Sequence, residues 1–153
     1  MHSRIIELSK NIVEIDNRIT EDDYSDNGFV GNIGDYVAPC NRKDAIDWLA
    51  SYLENKDVIT EHDEVKIVFS SNVDEKYFGG KYDEFKKLSE ELSFREFVDS
   101  MGIERYRIQN CLDDKYGFYI HCGGCYYTLN DFIRTYVNDG DTWYIGGVLD
   151  YHC

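Results

Sequence analysis

The chain has 153 residues, thirty acidic side chains against sixteen basic ones, a net charge of −14 and 42% hydrophobic residues. That apolar content is enough for a folded core, so the acidity is not that of a disordered tail, and the length fits one domain or two very small ones. The charge repels nucleic acid and anionic membrane and draws the chain towards cationic protein.

Near the N-terminus, Ile5, Leu8, Ile12, Ile15 and Ile19 recur at steps of three and four, the spacing of one apolar helix face. The β-branched run Ile12–Ile15 fits a short strand equally well, and both readings stand. Glu7, Lys10 and Glu14 interrupt any apolar signal core. No stretch approaches the roughly 18 apolar residues of a membrane span, so a cytoplasmic protein without a membrane partner is expected. From Thr20 to Gly34 the abundance of Asp, Asn and Gly predicts a loop or short hairpin. Seven acids fall between Glu14 and Asp35 against Arg18 alone. Glu21, Asp22, Asp23 and Asp26 are their densest part, and they lack the ligand order of a calcium loop.

Asn41 can cap a helix running to about Lys56, with Ala45, Ile46, Leu49 and Leu53 inward and Asp44, Asp47, Ser51 and Glu54 on the wet face. An acidic loop, Asp57 to Glu64, carries Glu61, Asp63 and Glu64 and leads into a strand at Val65–Phe69. Gly80–Leu92 reads as a helix with Tyr82, Phe85, Leu88 and Leu92 inward and an Asp83–Lys87 pair outside. Ser93 and Glu96 form a capping box, with Leu92 placed to staple Phe97. The helix they start should stop at Gly102 in the left-handed conformation, with Ile103 folding back on Val98. Tyr116–Leu129 reads as a hairpin turning at Gly123-Gly124. A short helix through Phe132, Ile133, Tyr136 and Val137 and a last strand from Thr142 to Tyr151 complete the chain. These elements predict an α+β fold: a compact single domain over 1–153, with a small antiparallel sheet and several short helices.

Little in the sequence points to chemistry. Cys122-Gly-Gly-Cys125 beside His121, with His152-Cys153 at the other end, falls short of a zinc set because adjacent strand residues point to opposite faces. It lacks the strand-to-helix setting of a redox pair as well. Five cysteines is an odd number, and reduced thiols are expected. None of His2, His62, His121 and His152 stands in a recognisable nucleophile context, and no glycine loop has the lysine and spacing of a phosphate cradle. No catalytic residue, metal or cofactor is therefore assigned.

One segment resembles a known family. In Ser93–Leu112 the capped first helix, the turn glycine Gly102 and the apolar positions Ile103 and Ile108 resemble the helix-turn-helix of phage-repressor-like regulators. The resemblance implies a recognition helix presenting Arg105, Arg107, Gln109 and Asn110 to DNA. The same residues fit a strand, Arg105–Asn110, after a helix stopped by glycine, so the secondary structure here stays open.

The charge argues for a different function. Carboxylates fixed on helix and loop can imitate a row of phosphates and occupy a basic groove, and tyrosines supply adhesive area. The expected function is a non-enzymatic acidic interaction protein that neutralises a basic, nucleic-acid-processing partner such as a nuclease. Its profile is that of restriction or CRISPR-nuclease inhibitors and toxin immunity proteins. The expected partner-binding residues are Glu21, Asp22, Asp23, Asp26, Asp44, Asp47, Glu54, Glu61, Asp63 and Glu64, gathered into a patch. The alternative is a DNA-binding regulator acting through Arg105, Arg107, Gln109 and Asn110.

Overall fold

A computed structural model describing residues 1–153 builds the α+β domain around one seven-stranded sheet. The strands are β1 (His2–Ser9), β2 (Tyr36–Pro39), β3 (Ile59–His62), β4 (Lys66–Phe69), β5 (Tyr119–Cys122), β6 (Cys125–Thr128) and β7 (Thr142–His152). The helices are α1 (Arg42–Glu54), α2 (Val73–Glu91), α3 (Phe94–Val98), α4 (Ile103–Leu112) and α5 (Leu129–Tyr136). The order across the sheet is β3-β4-β7-β1-β5-β6, with β2 paired to the C-terminal part of β7. The sheet is thus larger than the small antiparallel one expected, and it is mixed, because β1 and β5 run parallel.

Both faces of the sheet are covered. Ile6, Leu8, Phe118, Ile120, Trp143 and Ile145 face the larger core, built with α1, α2 and α5. Ile5, Tyr119, Leu149 and Tyr151 face a second core made with Ile19, Tyr24 and Phe29. A central strand buried on both faces need not alternate, and the adjacent Ile5 and Ile6 of β1 enter opposite cores. For that reason the N-terminal segment is neither the helix nor the Ile12–Ile15 strand. The strand lies earlier, at His2–Ser9, and Ile12 and Ile15 are exposed.

Thr20–Gly34 is likewise no free loop. It lies over the second face as a cover of tight turns, pinned by Ile19, Tyr24 and Phe29. Glu7 holds this cover to the sheet. Between the pairs Ile6↔Val148 and Leu8↔Ile145 the β7 strand carries one extra residue, a bulge at Gly146-Gly147. A Glu7 carboxylate oxygen accepts from Gly147 N at 2.7 Å and from Ile19 N at 3.0 Å. A Cβ on Gly147 would stand 2.7 Å from the Ile19 carbonyl, so the close approach of cover to strand requires glycine there.

Elsewhere α1 follows the expected pattern. Asn41 accepts from Asp44 N at 3.0 Å, and Ala45, Ile46, Leu49 and Leu53 are buried. The Gly123-Gly124 turn takes the positive φ values, 59° and 80°, of a two-residue hairpin. The helix expected from Gly80 begins at Val73 and passes through Gly79-Gly80. Tyr82 faces out rather than in, and Asp83 pairs with Lys86 at 3.5 Å rather than with Lys87. The Ser93–Glu96 capping box forms, with Ser93 N donating to the Glu96 carboxylate at 2.8 Å.

That helix does not reach Gly102. Asp99 accepts from Met101 N at 3.0 Å, an Asx turn that ends α3 at Val98. Gly102 has φ −67°, not a left-handed value, and caps the start of α4. Arg105–Asn110 is therefore helix and not strand. No helix is long and apolar enough to cross a membrane.

Candidate functional site

The ten acids expected to bind a partner are brought together as two groups on opposite faces of the sheet, rather than as one patch. The first lies on α1 and the edge hairpin β3–β4. The α1 stripe presents Asp44, Asp47 and Glu54, and the hairpin brings Glu61, Asp63 and Glu64 to the same side. Three of these six have basic neighbours: Asp47 with Lys43 at 2.5 Å, Glu54 with His62 at 3.0 Å and Glu61 with Lys66 at 3.2 Å. The carboxylates beside them hold the Lys43 and Lys66 ammonium groups above their ordinary range. Asp63 is occupied differently. It accepts from Val65 N at 2.7 Å and Lys66 N at 2.8 Å, which keeps its carboxyl below the usual range and makes it a turn former. Asp44 and Glu64 have no cation within 4.0 Å.

The second group, Glu21, Asp22, Asp23 and Asp26, sits on the cover of the opposite face. No basic side chain comes within 4.0 Å of any of the four. Asp23 closes a capping box by accepting from Thr20 N at 2.7 Å, which leaves Glu21, Asp22 and Asp26 free in solvent. Tyr24, from the middle of the same turn, is fully buried against Phe29, and its hydroxyl meets His121 Nδ1 at 2.9 Å. The carboxylates are therefore carried on a rigid platform. Across the whole chain, nine of thirty acids have a basic partner within 4.0 Å.

Burial holds the His121 imidazole below its ordinary value, with Glu7 and Asp23 opposing more weakly. The unfolded chain thus takes up this proton first as pH falls. The stability His121 contributes is complete above about pH 6.5 and is lost below it. Urea midpoints measured from about pH 8 to about pH 5.5 should fall more steeply for wild type than for His121→Gln. Parallel curves would contradict this.

The residues of the helix-turn-helix resemblance all lie on α4, but they do not share a face. At 3.6 residues per turn, Arg105 and Gln109 fall together, while Arg107 and Asn110 fall on the other side. Arg105 and Gln109 line a hollow with Leu92 and Phe97. Arg107 and Asn110 line a cleft of about 510 Å³ with Trp48, Tyr52, Lys81 and Asp114, and Arg107 reaches Glu84 at 3.4 Å. Burial in this cleft lowers the Lys81 ammonium, and no carboxylate lies within 4.0 Å of it. The cleft, lined also by His2, Glu84 and Cys111, can hold a small polar molecule.

The candidate metal residues are separated. His121 pairs in register with Glu7 and His152 with His2, at opposite ends of β1 and about 17 Å apart at roughly 3.3 Å per residue. Cys122 and Cys125 face each other across the hairpin as free thiols. Nowhere do three His, Cys, Asp or Glu side chains converge to hold a metal ion.

One surface was not foreseen. Neither α3 nor α4 buries a single residue, and half of the molecule's sixteen exposed large apolar side chains lie between Phe94 and Tyr116. The signal was present but weak. Ile103, Tyr106, Ile108 and Leu112 spread around α4 instead of forming one stripe, so no single core can cover them all. No family model, curated protein or solved structure matches the chain.

Proposed function

We propose that this protein is a non-enzymatic acidic inhibitor that acts in the cytoplasm and occupies the nucleic-acid-binding surface of a basic partner such as a nuclease. The observation that carries this reading is the cover group. Glu21, Asp22 and Asp26 are carboxylates with no cation beside them, held on a turn whose Tyr24 is locked into the fold. Fixed anions lose little freedom on binding, whereas flexible ones must be ordered at a cost. Asp44 and Glu64 extend the anionic field on the other side, where half of the group is already compensated.

The alternative reading, a helix-turn-helix regulator, is favoured by the helical state of Arg105–Asn110. Against it stand the net charge and the split of the four recognition residues between two sides of α4.

Inhibition of purified restriction and CRISPR nucleases tests the proposal. The combined variant Glu21→Lys, Asp22→Lys and Asp26→Lys should weaken inhibition of a responsive nuclease by about a hundredfold, from the summed loss of close charge pairs. An unaltered variant would remove the cover group from the reading. A gel shift with duplex DNA, weakened by Arg105→Ala, would support the alternative.

A further inference from the structure

We infer that the exposed arm formed by α3 and α4 is the interface through which two copies of this chain associate. The apolar side chains that define it stand in solvent: Met101 is 89% exposed and Phe94 81%, with Phe97, Val98, Ile103 and Tyr106 beside them. A monomeric surface rarely keeps so many large apolar groups together unless they are used.

Charge selects the occupant. The chain carries −14, yet Ser93–Leu112 is neutral, with Arg95, Arg105 and Arg107 against Glu96, Asp99 and Glu104. Three of these six are already engaged: Arg107 with Glu84 at 3.4 Å, Glu96 with the Ser93 backbone at 2.8 Å and Asp99 with the Met101 backbone at 3.0 Å. That leaves Arg95 and Arg105 to face Glu104. A basic partner would meet free arginines here. A second copy presents the same apolar area and the same charges, so an arginine of each copy can face Glu104 of the other, the reciprocal pairing of a two-fold interface. The arm is also where two such acidic bodies approach with least repulsion.

The inference is independent of the reading in the preceding section and carries an opposite salt signature. Binding to a basic protein weakens as salt rises. Association of two anionic chains through an apolar surface strengthens, because screening removes the repulsion between them.

Sedimentation equilibrium of the protein alone, from about 20 mM to about 500 mM NaCl, should show a monomer–dimer equilibrium whose dissociation constant falls about tenfold. Phe94→Asp and Met101→Asp should each raise that constant at least about tenfold. Both residues are exposed, so folding is retained, and far-UV circular dichroism verifies it. Ile15→Asp, at a residue 74% exposed on a different segment, adds the same charge and should leave the constant unchanged. A monomer under every condition overturns the inference. So does a dimer that salt dissociates, or one that all three substitutions weaken equally.

Discussion

Phe29→Ala should destabilise the protein by about 4 kcal/mol, among the largest losses for truncating one side chain in this fold. Phe29 is completely buried, and its ring meets four tyrosines edge-on, with centroids 5.3 Å from Tyr24, 5.0 Å from Tyr119, 5.2 Å from Tyr126 and 5.1 Å from Tyr151. Edge-to-face geometry adds to the area term at each of these contacts. Part of the loss should appear as local opening, because Phe29 belongs to the cover rather than the sheet. Urea unfolding with an unchanged slope gives the total, and amide exchange over residues 19–34 gives the local share. A loss below about 1 kcal/mol, with no faster exchange in the cover, would mean that the cover is not packed as described.

Glu7→Ala is the second large effect, at about 3 kcal/mol. Its carboxylate satisfies both Ile19 N and Gly147 N, and Gly147 is buried at the bulge. Alanine strands two backbone donors between cover and strand, each costing the desolvation of an unpaired N–H. Glu7→Gln retains an acceptor oxygen at the same length and should recover about half of the loss in thermal or urea unfolding. Equal stabilities for Ala and Gln would show that side-chain packing, not hydrogen bonding, ties the cover down. Both substitutions bear on the proposed function, since they loosen the platform of Glu21, Asp22 and Asp26 without touching a carboxylate there.

Local signals were legible where one short stretch settles the outcome. The Asn41 cap with its inward stripe, the Ser93–Glu96 box and the Gly123-Gly124 turn each depend on residues within a few positions of one another. Elements defined by distant partners were not legible. β1 is buried on both faces, so its pattern mimicked helical spacing. β3 reads as an acidic loop because it is an edge strand: only Ile59 is buried, and Thr60 and Glu61 face water. Charged residues of this kind keep edges from pairing with other chains. β2 is short and ends at Pro39, which suits an edge position and gives little periodicity to read.

The acids show the same limit. Their density between Glu14 and Asp35 is plain in the sequence. Their division between two faces depends on which side of the sheet each element covers, and the Glu54–His62 pair depends on α1 meeting β3. The exposed arm was hidden for a related reason. Phe94, Phe97 and Val98 stand at helical spacing, which usually means a buried face, and only the assembled fold reveals that α2 meets one side of α4 while the apolar side chains of α3 and α4 stay in solvent.

The most direct measurement of the central claim is calorimetric titration of an inhibited basic nuclease with this protein over a series of salt concentrations, with duplex DNA as competitor. The account predicts that affinity falls as salt rises, that DNA competes, and that the Glu21→Lys, Asp22→Lys, Asp26→Lys variant shows a shallower salt dependence. Affinity indifferent to salt, or a complex to which DNA adds without displacement, would contradict it.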